Sequence, residues 1–150
     1  MEIAKLRAFL ARHRRIAIDT CIFIYQWEAH PVYSRLTDHI FSSLEQSDFH
    51  GLTSTVTITE LLVHPYRDND LARVHDLLSL LSTYPNLEWI SPSLEIAVRA
   101  AELRAQHRLP TADALQAATA VYAKATAMVT NDPIFRRVSD LEVAILDDFV

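Results

Sequence analysis

The sequence predicts an α/β fold: a three-layer α/β/α sandwich around a central, mostly parallel sheet of four to five strands. Three observations carry this expectation. Short apolar runs alternate with helical segments along the chain, the pattern of a parallel sheet with helices on both faces. Ile16-Ala17-Ile18 is a continuous apolar run, as in a strand buried on both sides, and it ends in Asp19-Thr20. The stretch from Thr111 to Ala125 is rich in alanine, which suits a helix packed closely on a sheet. No internal repeat or low-complexity tract breaks the chain, and residues 1–150 read as one domain.

The elements follow in order. Glu2 to Arg14 reads as a basic amphipathic helix, with Ile3, Leu6, Phe9 and Leu10 at helical spacing. Arg15 to Asp19 is the first strand, and Thr20 to Glu28 continues it as a short helix. Pro31 suits the first turn of a helix running to about Gln46. Phe49 to Ser54 is the second strand. Thr55 or Thr57 caps a helix carrying Glu60, Leu61 and Leu62, which His64-Pro65 disturbs or ends. Asn69 or Asp70 caps the next helix, with Leu71, Val74, Leu77, Leu78 and Leu81 on one face. Tyr84-Pro85-Asn86 is a turn and Leu87 to Ile90 the third strand. Ser91-Pro92-Ser93 opens a helix to about Gln106, and Leu109-Pro110-Thr111 breaks and restarts the chain. The alanine-rich helix follows. Ala127 to Thr130 is the fourth strand, Ile134 to Val138 a short helix and Leu141 to Leu146 the last strand.

Composition narrows the function. A formal charge of −5 argues against a nucleic-acid binder that works through bulk charge, so a phosphate would need local patches or metal ions. Gly51 is the one glycine, which excludes the Walker loop and the dinucleotide fingerprint. Cys21 is the one cysteine, so no internal disulfide forms, and a reducing, cytoplasmic setting fits. No membrane span is present, and the start lacks the layout of a secretion signal. The seven histidines show no metal-ligand spacing. Cys21 lies in an apolar run and reads as core packing rather than as a nucleophile.

Four acids stand apart from the charged helix faces. Asp19 follows strand one, and Glu60 lies early in the helix after strand two. Asp113 lies in the first turn of the alanine-rich helix, and Asp132 follows strand four. Singly, each has a plainer reading as a turn, a cap or a first-turn acid facing the helix dipole. Together, a parallel sheet would gather them on one edge, where four carboxylates repel unless divalent cations sit between them. Hard oxygen ligands suit Mg²⁺ or Mn²⁺.

With these acids placed, the sequence resembles the PIN-domain family, and within it the VapC-type toxins. The resemblance rests on Ile18-Asp19-Thr20, on Thr57-Ile58-Thr59-Glu60-Leu61-Leu62, on Thr111 to Ala120 with Asp113-Ala114, and on Val129-Thr130-Asn131-Asp132, in that order. It implies a metal-dependent ribonuclease in which Asp19, Glu60, Asp113 and Asp132 ligate Mg²⁺ or Mn²⁺. It also implies that Thr20, Thr130 and Asn131 support those carboxylates. Arg136 and Arg137 are open between contacting an RNA backbone and forming a solvated face. A toxin of this kind implies a small antitoxin partner and a homodimer. Two positions depart from the family pattern. Cys21 stands where a serine or asparagine is usual, and Pro133-Ile134-Phe135 stands where many members carry a further acid. The helix in residues 1–14 precedes the family's usual first strand, as either a packing element or a contact surface. The rival readings are a free-standing PIN nuclease and a PIN-fold module that binds RNA or protein without cutting. A phosphatase using Asp19 as nucleophile lacks its second aspartate, since Cys21 holds that place.

Overall fold

A computed structural model describes residues 2–150; Met1, the first residue of the expected extension, lies outside them. Five strands form one sheet: β1 (Arg15–Ile18), β2 (His50–Ser54), β3 (Leu87–Ile90), β4 (Ala127–Thr130) and β5 (Glu142–Ile145). Every pairing is parallel and the order is β3-β2-β1-β4-β5. The helices are α1 (Glu2–Ala11), α2 (Thr20–Trp27), α3 (Ser34–Glu45), α4 (Val56–Arg67), α5 (Leu71–Ser82), α6 (Leu94–His107) and α7 (Thr111–Tyr122). Short 3₁₀ helices cover Pro133–Arg137 and Leu146–Phe149. No helix among the described residues is long and apolar enough to cross a membrane.

The period-2 alternation of strands builds both cores. Ile16 and Ile18 of β1 and Val129 of β4 face a core completed by Leu6 and Leu10 of α1, Phe23 of α2 and Ile40 of α3. Ala17 and Met128, the intervening residues, face the opposite core with Ile96 and Leu103 of α6 and the alanines of α7. The sandwich is therefore three-layered, and its sheet has five strands, all parallel. Small side chains on α7 let that helix lie close to the sheet. The helix before β1 is a packing element: Leu6, Phe9 and Leu10 are buried.

Several boundaries differ from expectation for local reasons. α1 stops at Ala11, where Arg12 and His13 close tight turns onto Phe9 and Leu10 carbonyls. α3 starts at Ser34 rather than Pro31 because His30 Nδ1 accepts from the backbone N–H of Val32 (3.1 Å) and Tyr33 (3.4 Å), holding a separate turn. Pro65 does not end α4, which runs to Arg67; so near the helix end, the proline removes one ladder bond and the chain continues past it. Thr55 holds the N-cap position of α4, but its side chain makes no capping bond. Ser54 Oγ accepts from Val56 N at 3.1 Å, and the Thr57 hydroxyl is drawn into the site described below. Asp70, not Asn69, caps α5 by accepting from Arg73 N. On α5 only Val74 and Leu81 are buried; Leu71 and Leu78 are exposed, since this helix packs chiefly on α4 and one narrow stripe is covered. α7 ends at Tyr122 rather than Ala125. Lys124 takes a left-handed φ of 60° there, and Ala125 N reaches back to Ala120 O.

Gly51 marks the tightest approach in the sheet. A Cβ there would lie 2.9 Å from Leu44 Cδ1 and 3.2 Å from Ile18 Cδ1, both on fully buried side chains. Gly51→Ala is expected to destabilise the protein by about 1–3 kcal/mol, the usual cost of overpacking. Urea unfolding checks this, and an unchanged midpoint would contradict it.

Candidate active site

The strand order places a switch point between β1 and β4: the chain leaves β1 toward β2 and leaves β4 toward β5, on opposite sides. Ligands of open α/β sheets bind at the carboxyl ends of strands beside such a point. Here those ends carry Asp19 and Asp132. An open recess of about 360 Å³ lies there, and Asp19, Glu60, Asp113 and Asp132 all line it. Four separate elements thus bring the four acids to one place.

Asp19 is the best held. It caps α2 in extended conformation, with Oδ1 accepting from Thr20 N at 2.8 Å. Its Oδ2 accepts from Thr130 Oγ1 at 2.7 Å. Asp19 is 7% exposed, and burial drives its pKa above the usual carboxylate range; the neighbouring Glu60 adds to the rise, while the bonds from Thr130 and Thr20 oppose it. Asp113, half-buried at the start of α7, is pushed up to about 6, first by burial and then by the charges of Asp19, Asp132 and Glu60. The acids therefore sense one another as uncompensated negative charge.

Two threonines tie the acids together. Thr20 gives its backbone N–H to Asp19 and its hydroxyl to Glu60 Oε1 at 2.7 Å, so one residue holds two acids. Thr130 gives its hydroxyl to Asp19 and accepts from Asp132 N at 3.1 Å. Asp132 is exposed and caps the 3₁₀ helix by accepting from Ile134 N at 3.0 Å. Asn131 lines the recess, while its Oδ1 accepts from Asp147 N at 2.8 Å and secures the chain after β5.

Arg136 and Arg137 do not line the recess. Arg136 pairs with Asp148, and Arg137 Nη1 donates to His107 O at 2.8 Å. Cys21 borders the recess as well as packing against the core. Burial and Asp19 push its thiol up to about 12, so it is held as the neutral thiol, not a nucleophile.

Gln116 and Thr57 lie within the motifs that carry the family resemblance, but nothing in the sequence alone gives either a role at the acids. Both are buried and hydrogen-bonded to Thr20 or to each other. The signal was spacing: Thr57 is three residues before Glu60, and Gln116 is three after Asp113, each on its acid's helix face.

Among the described residues, no group of three or more His, Cys, Asp or Glu side chains is arranged as a ready-made metal site. The donor chemistry nonetheless fits a hard divalent cation. The four groups are carboxylates in one open recess, and the mutual repulsion that lifts Asp113 is what a cation relieves.

A family model described as "PIN domain" matches residues 16–141. No curated protein matches the chain. Among solved structures, the chain is similar to VapBC2 from Rickettsia felis bound to a DNA fragment from their promoter, at TM-score 0.66 and 20% identity, covering 87% of this chain and 98% of that one. It is similar to a toxin-antitoxin complex from Klebsiella pneumoniae, at TM-score 0.62 and 21% identity, covering 85% and 95%. It is also similar to FitAcB from Neisseria gonorrhoeae, at TM-score 0.59 and 21% identity, covering 85% and 95%. At these identities the likeness is one of fold.

Proposed function

The chain belongs to the PIN-domain family, and from that premise we propose a metal-dependent ribonuclease that hydrolyses RNA phosphodiester bonds as the toxin of a type II toxin-antitoxin pair. The observation that carries this reading is the meeting of Asp19, Glu60, Asp113 and Asp132 in one open recess at the sheet's switch point. Mg²⁺ or Mn²⁺ bound there would supply an activated water and neutralise charge on the phosphate oxygens.

The chain's own residues do the rest. Asp19, Glu60, Asp113 and Asp132 would hold the cation, and one of them, when not committed to it, would accept a proton from the attacking water. Thr20 and Thr130 fix the Asp19 carboxylate through both oxygens; Oδ2 also takes the Cys21 thiol at 3.7 Å, while Oδ1, bonded to Thr20 N, keeps a lone pair for a ligand. Arg136 and Arg137, which follow Asp132 in the chain, take the RNA backbone by giving up their present partners; for Arg136 the cost is small because its ion pair with Asp148 is exposed. The similar toxin-antitoxin assemblies support a small antitoxin protein as partner, and the resemblance supports a homodimer in the cytoplasm.

Purified protein is to be incubated with a mixed structured-RNA pool and with matched single-stranded DNA, in Mn²⁺, in Mg²⁺ and in EDTA. The reading predicts RNA cleavage with either cation and none in EDTA. A folded, metal-supplied protein that cuts neither polymer would favour the non-catalytic binding module instead.

A further inference from the structure

Glu60 sits on an exposed helix face, yet one of its oxygens is held by a buried network that begins two elements away. Gln116 Nε2 lies 2.7 Å from Thr57 Oγ1 and 3.3 Å from Thr20 Oγ1. Thr57 Oγ1 lies 2.8 Å from Thr53 Oγ1 and 3.1 Å from Thr20 Oγ1. Thr20 Oγ1 lies 2.7 Å from Glu60 Oε1. Gln116, Thr57 and Thr53 are each 2% exposed or less, so water does not complete their bonding.

We propose that Gln116 is a positioning residue for Glu60, because its amide donates to the buried hydroxyls of Thr57 and Thr20 and so leaves Thr20's own hydrogen, at the end of a hydroxyl chain from Thr53, to Glu60 Oε1. The direction follows from donor bookkeeping. Ser54 N, which can only donate, lies 3.4 Å from Gln116 Oε1, so the amide oxygen points there and the NH₂ points at the two threonines. Both hydroxyl oxygens therefore accept from Gln116. Thr20 gives its hydroxyl hydrogen to Glu60 Oε1. Thr57 then donates to Thr20, and Thr53 to Thr57. In this arrangement every hydroxyl hydrogen has an acceptor, and the oxygens of Thr57 and Thr20 each accept two bonds. Gln116 and Asp113 share α7, so the helix that carries one acid aims another on α4. Glu60 Oε1 thereby has one lone pair committed to Thr20 and its direction fixed, and Oε2 takes no bond from the chain.

The consequence for metal binding rests on the proposed function; the orientation of Glu60 does not. The test therefore reads both. Gln116→Glu keeps shape but replaces the NH₂ with an acceptor, so Thr20's hydrogen is drawn away from Glu60. Gln116→Met keeps volume and removes both donors. Mn²⁺ affinity by titration calorimetry is expected to fall about 10-fold or more in each, the usual cost of losing an outer-shell partner. In a Thr20→Val background, which already breaks the chain, Gln116→Met is expected to change affinity less than about 2-fold, whereas Thr20→Ser retains wild-type affinity. A merely structural glutamine would act alike in both backgrounds. The metal-free readout is the Glu60 carboxyl carbon-13 shift, expected to move in Gln116→Glu and Gln116→Met. Unchanged affinity together with an unchanged shift in the folded variants would overturn the proposal, as would additive effects with Thr20→Val. If wild type binds no Mn²⁺, the metal reading fails by itself, and the carboxyl shift alone decides for or against Gln116. If one variant does not fold, the other together with Thr57→Val decides it.

Discussion

Asp19→Asn is expected to reduce metal-dependent RNA cleavage by at least about 100-fold while raising the melting temperature of the metal-free protein. The first part follows from position. Asp19 is the most buried of the four acids and the one fixed through both oxygens, so it is the anchor of the recess. Loss of even a ligand's supporting partner costs up to about 100-fold, and loss of the ligand costs more. The second part follows from burial. Asparagine fits the same space: its oxygen can keep the bond from Thr20 N, and its NH₂ faces Thr130 Oγ1, which turns its own hydrogen aside. What disappears is a buried carboxylate whose charge the site disfavours, since burial outweighs the bonds that steady it. Cleavage assays and thermal melts in EDTA check the two halves. Retained cleavage would remove Asp19 from the mechanism. A lower metal-free melting temperature would mean that its hydrogen bonds matter more than its desolvation.

The metal-free protein is expected to lose stability as pH rises from about 4 to about 6, and Mn²⁺ is expected to restore it. Asp113 is held at about 6 in the folded chain, against an ordinary value of 3.8. Between those values the folded chain keeps a proton that the unfolded chain has released. The associated stability is present below 3.8 and is lost as pH rises through about 6. Asp19 is shifted in the same direction and adds the same sign. A cation binds the deprotonated carboxylates, so its stabilising effect runs the other way and grows with pH. At a hundredfold excess over its dissociation constant it would add about 2.7 kcal/mol, which in a chain of this size is a rise of about 5–10 °C. Melts at pH 4.5 and 7.5, with Mn²⁺ and with EDTA, check this, and Asp113→Asn should flatten the metal-free slope. Equal Mn²⁺ effects at both pH values would contradict the account.

Much of this architecture was legible because it rests on periodicity. Ile16-Ala17-Ile18 and Ala127 to Val129 announced central strands, and the alanines after Asp113 announced the helix laid closest on the sheet. The four acids were legible as well, since each interrupts or follows an apolar stretch where a solvated helix face would not be. What escaped was long-range or side-chain specific. His64-Pro65 reads as a disturbance or an end of the helix, and so near the C-terminus of α4 the proline costs a single bond without ending it. The spacing puts Leu71, Val74, Leu77, Leu78 and Leu81 on one face of α5, but which of them is covered depends on the neighbours that helix meets. His30 stops α3 from starting at Pro31 through a local side-chain bond. Arg136 and Arg137 were placed beside Asp132 by sequence, yet their partners, Asp148 and the His107 carbonyl, come from distant parts of the chain. The buried Gln116–Thr57–Thr20 network was the largest omission, because a single glutamine among alanines carries meaning only once three helices meet over it.

The central claim is that the four acids form one cation site that serves hydrolysis. The most direct measurement is a crystal structure of the protein grown with Mn²⁺, with anomalous scattering used to locate the ion. The account predicts a peak in the recess bound by Asp19 and at least one of Glu60, Asp113 and Asp132, absent in Asp19→Asn. An ordered recess without a peak, in a protein that still cuts RNA with Mn²⁺, would contradict it.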